Sequence, residues 1–570
     1  SFPTRRSSDL GVIESELRPG RRISPGHPVA LGAGGLYHAN PETCVTGQDR
    51  SRAALSLVLS AQRYGLPIDA SELLTTFHRA GDWLEPVPEL GALFLEDRGS
   101  LATSFDFLSR IPGAEDRLFP GYGRFESSLD ERVRTERQTL RGPLEREKVR
   151  ELETERSEGG RILAESRTPD RLTDMGYDIR VEVEAARLTK TQLAAVKLAL
   201  KTKRLPVTPD DLAARNDPAR SLPERFSSGF SGIALDDYYS RSFAEAGFPP
   251  EVLDLARFLV ANRRSFREIA GAGLIDGTAV GDLLERCGGD RAKARALYVF
   301  TRIDRHAWES PQQRPTLFFN ILELYAKACM PEDRRFDPQR LLGEAGLSDR
   351  ESQEILLDFG RDFYEGIYRH YAVRFGPHLL RLAEAGRKAR PKALLISVGP
   401  SSILGVAARD DRGIAASISG TFWKHGIGLS QAHLFSATNR GLALDFFHLA
   451  PPASGNGGAS VLGELPALVE EAIERRLHRS DEDEAALPDV ARRVTLTEWR
   501  HGLYRLRAES GGEVGALIYL LCCKASRRLR ADIHGVTSQS DRDGARASVF
   551  LRLPGSLALE DAREVVSDWG

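Results

Sequence analysis

Residues 400–451, PSSILGVAARDDRGIAASISGTFWKHGIGLSQAHLFSATNRGLALDFFHLAP, decide the fold of the carboxyl-terminal part of this chain. The segment begins with an apolar run at residues 402–408, which predicts a short strand, and a polar turn follows. Ile414, Ile418 and Phe422 then recur every four residues. This spacing predicts a helix that buries one face.

Two strands and a tight turn complete this unit. Gly426 tolerates the left-handed conformation that ends many helices, so the helix should stop there. Residues 427–435 and 442–447 alternate or cluster apolar side chains, and the turn at 438–441 contains Asn and Gly, which accept positive φ. The segment therefore predicts a β-α-β-β unit.

The same order of elements returns about one hundred residues later. A strand is predicted at residues 502–507, a glycine-rich turn at 511–515 and a helix at 516–527. Strands at 530–537 and 547–553 follow. The carboxyl-terminal part of the chain thus contains an internal repeat.

Both units resemble ACT domains, small ferredoxin-like modules that bind amino acids at subunit or repeat interfaces. The first loop of that family commonly reads Asp-Arg-Pro-Gly. Asp410 and Gly413 match its ends, whereas residues 411–412 differ from the middle pair. In the second unit Gly515 matches, and Gly512 precedes it in the same loop.

The ligand-binding residues expected from this resemblance are Asp410, Gly413, Gly512 and Gly515. Free backbone N–H groups at a helix start can hold a ligand carboxylate, and Asp410 could accept a hydrogen bond from the ligand amine. A plain helix cap is the alternative interpretation of Asp410 with Gly413.

The composition is typical of a soluble globular protein. A chain of 570 residues suggests about three or four domains. The net charge of -2 favours no nucleic-acid partner, and the longest apolar run, residues 514–523, is too short to cross a membrane. The five cysteines include no C-x-x-C pair, which indicates reduced thiols and a cytoplasmic location.

The two ends of the sequence suggest a gene fragment. Residues 1–10, SFPTRRSSDL, resemble a translated sequencing adapter and are excluded from the fold prediction. Trp569 and Gly570 fall within the expected second helix of the second ACT-like unit, so this unit is expected to be incomplete.

The predicted fold is an α+β multidomain chain, mostly helical over its first two-thirds and then two ferredoxin-like (βαββαβ) ACT modules. Its expected domains are residues 11–120 (loop and helical linker), 121–390 (helical), 391–499 (first ACT-like) and 500–570 (second ACT-like). Apolar periodicity predicts loop at 11–41 and helices at 49–64, 70–79, 87–95, after 189, and at 282–287, 292–305, 317–329, 353–370 and 377–385.

This order of parts resembles the bifunctional PII uridylyltransferase and uridylyl-removing enzyme family over residues 34–570. LFPGYGR at 118–124 and LYVFTRIDR at 297–305 are similar to family segments in and around an HD hydrolase domain. The resemblance implies glutamine as effector and a PII-type signalling protein as partner. It also implies Mg²⁺ or Mn²⁺ in the family's catalytic domains.

The catalytic residues of that family are missing from this sequence. No Gly-Ser turn with Asp-x-Asp spacing is present, and no histidine lies between His78 and His306. Gln138 stands where the family has a histidine, and Asp304 alone matches a metal-binding aspartate. We therefore expect a degenerate HD-like domain, no catalytic site and no cofactor in this fragment.

The remaining chemically suggestive residues have simpler structural interpretations. They are Asp236-Asp237 (helix capping rather than paired acids), residues 229–232 (loop rather than nucleophile elbow), residues 32–35 (turn rather than phosphate cradle), Cys522-Cys523 (core rather than redox pair), His425 (helix end) and His433 (strand).

Two functions from different classes follow. The chain is either the regulatory, amino-acid-sensing end of a PII uridylyltransferase-like protein, or a non-enzymatic ACT-domain sensor or scaffold. A third, an active metal phosphohydrolase, is disfavoured by the missing histidines.

Overall fold

The chain forms two compact units in a computed structural model. Unit 1 contains the described residues up to 263 and residues 295–304, and unit 2 contains the other described residues. The structure describes residues 21–22, 29–32, 34–39, 46–69, 84–97, 101–109, 111, 113–120, 184, 187–203, 232–243, 245–271, 273–304, 315–329, 339, 343, 349–385, 389–398, 401–450, 458–477, 491–500, 502–511, 513–541 and 544–569.

Unit 1 is mostly helical. Its elements are β1 (Arg21–Arg22), β2 (Val29–Gly32), β3 (Gly35–His38), α1 (Gly47–Tyr64), α2 (Pro88–Leu95), α3 (Leu101–Ser109), α4 (Ala114–Leu118), α5 (Lys190–Thr202), α6 (Gly232–Ser242), α7 (Pro250–Ala261) and the end of α10 (Arg291–Ile303).

The predictions for α1, α2, α5 and α10 are confirmed. Thr46 and Asp49 form a capping box at the start of α1, and Gly65 ends it in the left-handed conformation. The predicted loop at 11–41 is wrong at its described residues, because β2 and β3 form an antiparallel hairpin. The predicted helix at 70–79 lies outside the described residues.

Aromatic packing forms the centre of unit 1. α5 packs against α7 and α2. Five phenylalanine rings from separate parts of the chain meet at centroid distances between 5.3 and 6.3 Å: Phe94, Phe105, Phe119, Phe243 and Phe248. These distances are those of tilted and edge-to-face pairs, so the rings form one apolar core.

Unit 2 begins with short helices. They are α8 (Ser265–Gly271), α9 (Gly277–Arg286), the start of α10, α11 (Pro315–Cys329), α12 (Arg350–Leu357), α13 (Arg361–Glu365) and α14 (Arg369–Ala385). The single predicted helix at 353–370 is wrong, because Gly360 adopts a φ of 87° between α12 and α13. Pro377 lies inside α14 instead of starting a helix.

The carboxyl-terminal part of unit 2 is an eight-stranded antiparallel sheet with the order β4-β5-β7-β6-β10-β11-β9-β8. Its elements are β4 (Lys392–Val398), β5 (Ser401–Arg409), α15 (Ile414–Lys424), β6 (Leu429–Ala437), β7 (Leu442–Leu449), α16 (Gly458–Leu477), β8 (Ala491–Arg500), β9 (Leu503–Ser510), α17 (Val514–Arg527), β10 (Asp532–Asp541), β11 (Gly544–Arg552) and α18 (Leu559–Ser567).

The repeat is present in the order of these elements. The predicted β-α-β-β runs correspond to β5-α15-β6-β7 and β9-α17-β10-β11. Each run is preceded by a strand that the sequence analysis missed, β4 or β8, and is followed by a helix, α16 or α18. Each half therefore runs ββαββα instead of the predicted βαββαβ. The predicted boundary at 499–500 falls at the end of β8, which pairs with β9. The last helix ends at Ser567.

Both faces of the sheet are covered at β5, β6 and β7. One face packs its apolar side chains against α15, α16, α17 and α18 in a single core. The other face contacts α14, where Phe375 lies against Gly405 of β5, and α11, where Phe319 lies against His448 of β7. Because strand side chains alternate, each central strand contributes residues to two buried layers.

None of the helices in the described ranges is long and apolar enough to cross a membrane.

Close packing of α15 on α17 depends on Gly420. A Cβ atom at this position would lie 2.8 Å from Cε2 of Tyr519, whose ring stacks on Trp423 at 5.4 Å between centroids. We predict that Gly420→Leu lowers the free energy of unfolding by about 1–3 kcal/mol, measured by urea denaturation, because the helices cannot separate without opening the core.

Gly463 provides the matched control for this substitution. It lies on the exposed side of α16, where an added Cβ would contact nothing within 4 Å. Gly463→Leu should leave stability unchanged or raise it by up to about 1 kcal/mol through helix propensity. Equal effects of the two substitutions would contradict the packing role of Gly420.

Candidate ligand-binding site

The start of α15 follows β5, on the face of the sheet that packs against α15 and α17. β5 ends at Arg409, and the amide of Asp410 donates a 2.9 Å hydrogen bond to the carbonyl of Gly441. Gly413 is the N-cap residue, with a φ of 86° that favours glycine. Since glycine has no side chain, the helix begins without a side-chain cap.

Three carboxylates from different strands interact electrostatically at this position: Asp410 after β5, Asp445 in β7 and Asp532 in β10. Ser436 of β6 donates a hydrogen bond to Asp410, and His534 lies beside Asp532, with 3.3 Å between Nε2 and Oδ2. We call these five residues the acidic site. The site is assembled from both repeats.

Asp445 is the most deeply buried member of the acidic site, with 4% of its surface exposed. Burial raises the pKa of its carboxyl well above 3.8, and the negative charge of Asp410 adds to this effect. A hydrogen bond from the backbone amide of Phe435 opposes the rise. Asp445 therefore tends to retain its proton in the folded protein.

Asp410 and Asp532 form the solvent-facing side of the acidic site. Asp410 is an exposed residue, yet its carboxylate is partly covered, and this burial raises its pKa above 3.8. The hydrogen bond from Ser436 lowers that pKa, and the charge of Asp532 raises it. The arrangement favours a cationic group next to the carboxylates, because a positive charge would relieve their mutual repulsion.

The predicted ligand-binding residues do not all lie together. Asp410 and Gly413 lie at the start of α15, whereas an added Cβ on Gly515 would lie 3.7 Å from the Cα of Trp423, near the end of α15. These positions are roughly 15 Å apart along the helix. Gly515 thus contributes to helix packing, and Gly512 lies outside the described residues.

The second repeat lacks the buried carboxylate of the first. Asp445 and Ala547 are the fourth residues of β7 and β11, and each pairs with the neighbouring strand that leads to a helix. Ala547 is buried in the apolar core that covers this face. The chemistry of the acidic site therefore belongs to the first repeat.

Asp304, the aspartate that the resemblance aligns with a metal ligand, forms an ion pair within unit 1. Its Oδ1 lies 2.6 Å from Nζ of Lys203, and the residue is 2% exposed. No group of three or more His, Cys, Asp or Glu side chains within the described ranges is arranged to hold a metal ion. Gln138 lies outside those ranges. The described residues of this region do not fit the Mg²⁺ or Mn²⁺ of the family's catalytic domains.

The other sequence candidates occupy structural positions. His425 is the C-cap of α15 and His433 is buried in β6. Cys522 and Cys523 are buried in α17, and burial raises the pKa of the Cys522 thiol to about 12. Gly32, Gly34 and Gly35 lie in the β2–β3 hairpin, as the predicted turn requires. The predicted capping role of Asp236 and Asp237 is wrong, because they are the fifth and sixth residues of α6, and Gly232 is the first residue of that helix instead of a loop residue.

Sequence reasoning missed four of the five members of the acidic site: Ser436, Asp445, Asp532 and His534. Asp445 carries a usable signal, a single acid within the otherwise apolar run of β7. A buried carboxylate is uncommon enough to suggest a function. Asp532 and His534 carry no such signal, because only the pairing of β10 with β6 brings them to this position.

Comparisons of the chain with protein-family models, with curated proteins and with solved structures find no match.

Asp445→Asn tests the energetic consequence of the buried acid. Because burial raises the pKa of Asp445 in the folded state, the folded protein binds this proton more tightly than the unfolded chain does, so the stability of the wild-type protein should fall as pH rises above about 4. Asparagine has the same shape and does not titrate. We predict that Asp445→Asn raises the free energy of unfolding at pH 7.5 by about 1–3 kcal/mol.

Urea denaturation at pH 5 and pH 7.5 measures this difference, which should grow with pH. Asp561→Asn, on the exposed side of α18, is the control and should leave stability unchanged. If Asp445→Asn instead destabilises the protein at pH 7.5, the prediction is contradicted, and the ionised Asp445 carboxylate must be stabilised by a neighbouring group in the folded protein.

Proposed function

We propose that the two carboxyl-terminal repeats are ACT-like modules and that the acidic site binds an amino acid. The observation that supports this most strongly is the convergence of the Asp410, Asp445 and Asp532 carboxylates beside the uncapped start of α15. A zwitterion carries both charges that such a site favours. Its ammonium group would contact the carboxylates, and its carboxylate would accept from the N–H groups at the start of α15.

The sheet is consistent with an ACT-like fold that has a different order along the chain. In the ACT order, the last strand of each half follows the second helix and lies at the outer edge of the sheet. In this chain the strand at that outer edge instead precedes the first helix of its half. β4 and β8 take this role. The two halves then join edge to edge through β6 and β10, so one site forms with contributions from both repeats.

Glutamine is the effector that we propose, within a nitrogen-signalling protein of the PII uridylyltransferase type that has a PII-type protein as partner. Ligand binding would regulate such a protein only through a difference in affinity between two conformations.

Calorimetric titration of the chain with glutamine tests the proposal. We expect binding, and we expect 4-carbamoylbutanoate, which is glutamine without its α-amino group, to bind at least about tenfold more weakly. Asp410→Ala should weaken glutamine binding by a similar factor, because a hydrogen bond to a charged group is lost. Asp561→Asn is the matched control. Equal binding of the two ligands, or no heat with any amino acid, would overturn the proposal.

A non-enzymatic sensor or scaffold is the second candidate. The ion pair of Lys203 with Asp304 favours it, since the carboxylate that the resemblance aligns with a metal ligand already has an ammonium group as its partner. We predict that the protein retains well under one metal ion per chain after dialysis against Mn²⁺ or Fe²⁺ followed by metal analysis. Stoichiometric metal would instead support an active hydrolase.

A further inference from the structure

A row of buried polar side chains joins α11 to the face of the sheet opposite the acidic site. Asn320 of α11 and Gln431 of β6 exchange two amide hydrogen bonds, of 2.9 and 3.0 Å. The Gln431 amide nitrogen also contacts Nε2 of His433. All three residues are at most 4% exposed. We call them the amide–imidazole chain.

Backbone carbonyls fix the direction of every hydrogen bond in this chain. The amide nitrogen of Asn320 lies 3.1 Å from the carbonyl oxygen of Ala270 and 3.4 Å from that of Gly273. A carbonyl oxygen only accepts, so this end of Asn320 must be its NH₂ group. The Asn320 oxygen then accepts from Gln431, which fixes the orientation of the Gln431 amide as well.

The fixed orientation of Gln431 determines the protonation state of His433. One N–H of the Gln431 amide is directed at Asn320 and the other at Nε2 of His433. Nε2 must therefore accept a hydrogen bond, which requires a neutral imidazole. Protonation would place two donors opposite each other and break the contact.

The surroundings of His433 also disfavour a positive charge. Burial lowers the pKa of His433 well below 6.5, and His448 and Lys327 lower it further. His448 is itself buried, with Nε2 2.8 Å from the Tyr368 hydroxyl. The ionisable groups near His433 include Lys327 and Glu323 of α11, Asp362 of α13, Tyr368 just before α14, Arg369 and Tyr371 of α14, His448 of β7, and Asp276 at the start of α9.

Glu323 does not offset a charge on His433, because it already has two partners. Its Oε1 lies 3.2 Å from Nζ of Lys327, and its Oε2 accepts a 2.6 Å hydrogen bond from the amide of Ile367. A proton on His433 would thus enter a layer in which no described carboxylate is available close to its Nε2.

We infer that the amide–imidazole chain is an acid-sensitive latch that holds α11 against β6 while His433 is neutral and releases it when His433 is protonated. Stability from such a group is present above the pKa of the unfolded state, about 6.5, and is lost as pH falls below it. Histidine is the side chain that titrates in this range. The latch is independent of the acidic site and of any ligand.

Hydrogen exchange of the whole chain tests the latch. From pH 7.5 to pH 5.5, the opening equilibrium of α11 and β6 amides, corrected for intrinsic exchange, should increase about tenfold for each imidazole that opening exposes. His433→Gln retains an acceptor for Gln431 and does not titrate. It should preserve protection at pH 7.5 and reduce the acid-induced increase at α11 and β6 by about tenfold, which is the contribution of one imidazole.

Two further variants separate the latch from simple burial of a histidine. His433→Phe removes the acceptor, so α11 protection should fall equally at both pH values. His425→Gln, at the exposed end of α15, should behave like the wild-type protein. The inference is overturned if His433→Gln keeps the full acid-induced increase, or if the increase disappears only in His448→Gln.

Discussion

The antiparallel pairing of β6 with β10 is the interaction on which the carboxyl-terminal part of unit 2 depends. Only three residue pairs define its register, centred on Ala432 and Val536. This short contact joins two four-stranded halves into one sheet. It also sets α15 beside α17 and brings Asp532 to the loop after β5. A one-residue slip would exchange the two faces of β10 and separate Asp532 from Asp410.

Local sequence patterns were sufficient to predict the elements whose conformation is set by residues close together in the sequence. Ile414, Ile418 and Phe422 recur with the period of a helix, and α15 buries all three. The β6–β7 turn was equally clear, because Gly441 adopts the positive φ that its position requires. Such signals arise from the conformational preferences of neighbouring residues, so they are present in the sequence itself.

Features that depend on distant partners could not be predicted in this way. The packing position of Gly515 is set by Trp423 on another helix, which the loop motif around Gly515 does not reveal. The positions of the edge strands β4 and β8 are set by their pairing with β5 and β9. Their own sequences carry no pattern from which these strands were predicted. The acidic site combines residues between positions 410 and 534. Among them, Asp445 gives a sequence signal, because it is an acid within an apolar strand.

Burial of both sheet faces makes the polar residues of adjacent strands respond to pH in opposite directions. Asp445 of β7 resists losing its proton, so raising the pH destabilises the helix-covered face around it. His433 of β6 resists gaining a proton, so lowering the pH destabilises the opposite face. The two strands are paired, with His433 opposite Phe446, the residue after Asp445. A cation bound at the acidic site would stabilise ionised Asp445 and remove the loss at high pH, while the loss at low pH would remain. A ligand at the acidic site and a proton on His433 would therefore act on the same pair of strands from opposite sides of the sheet.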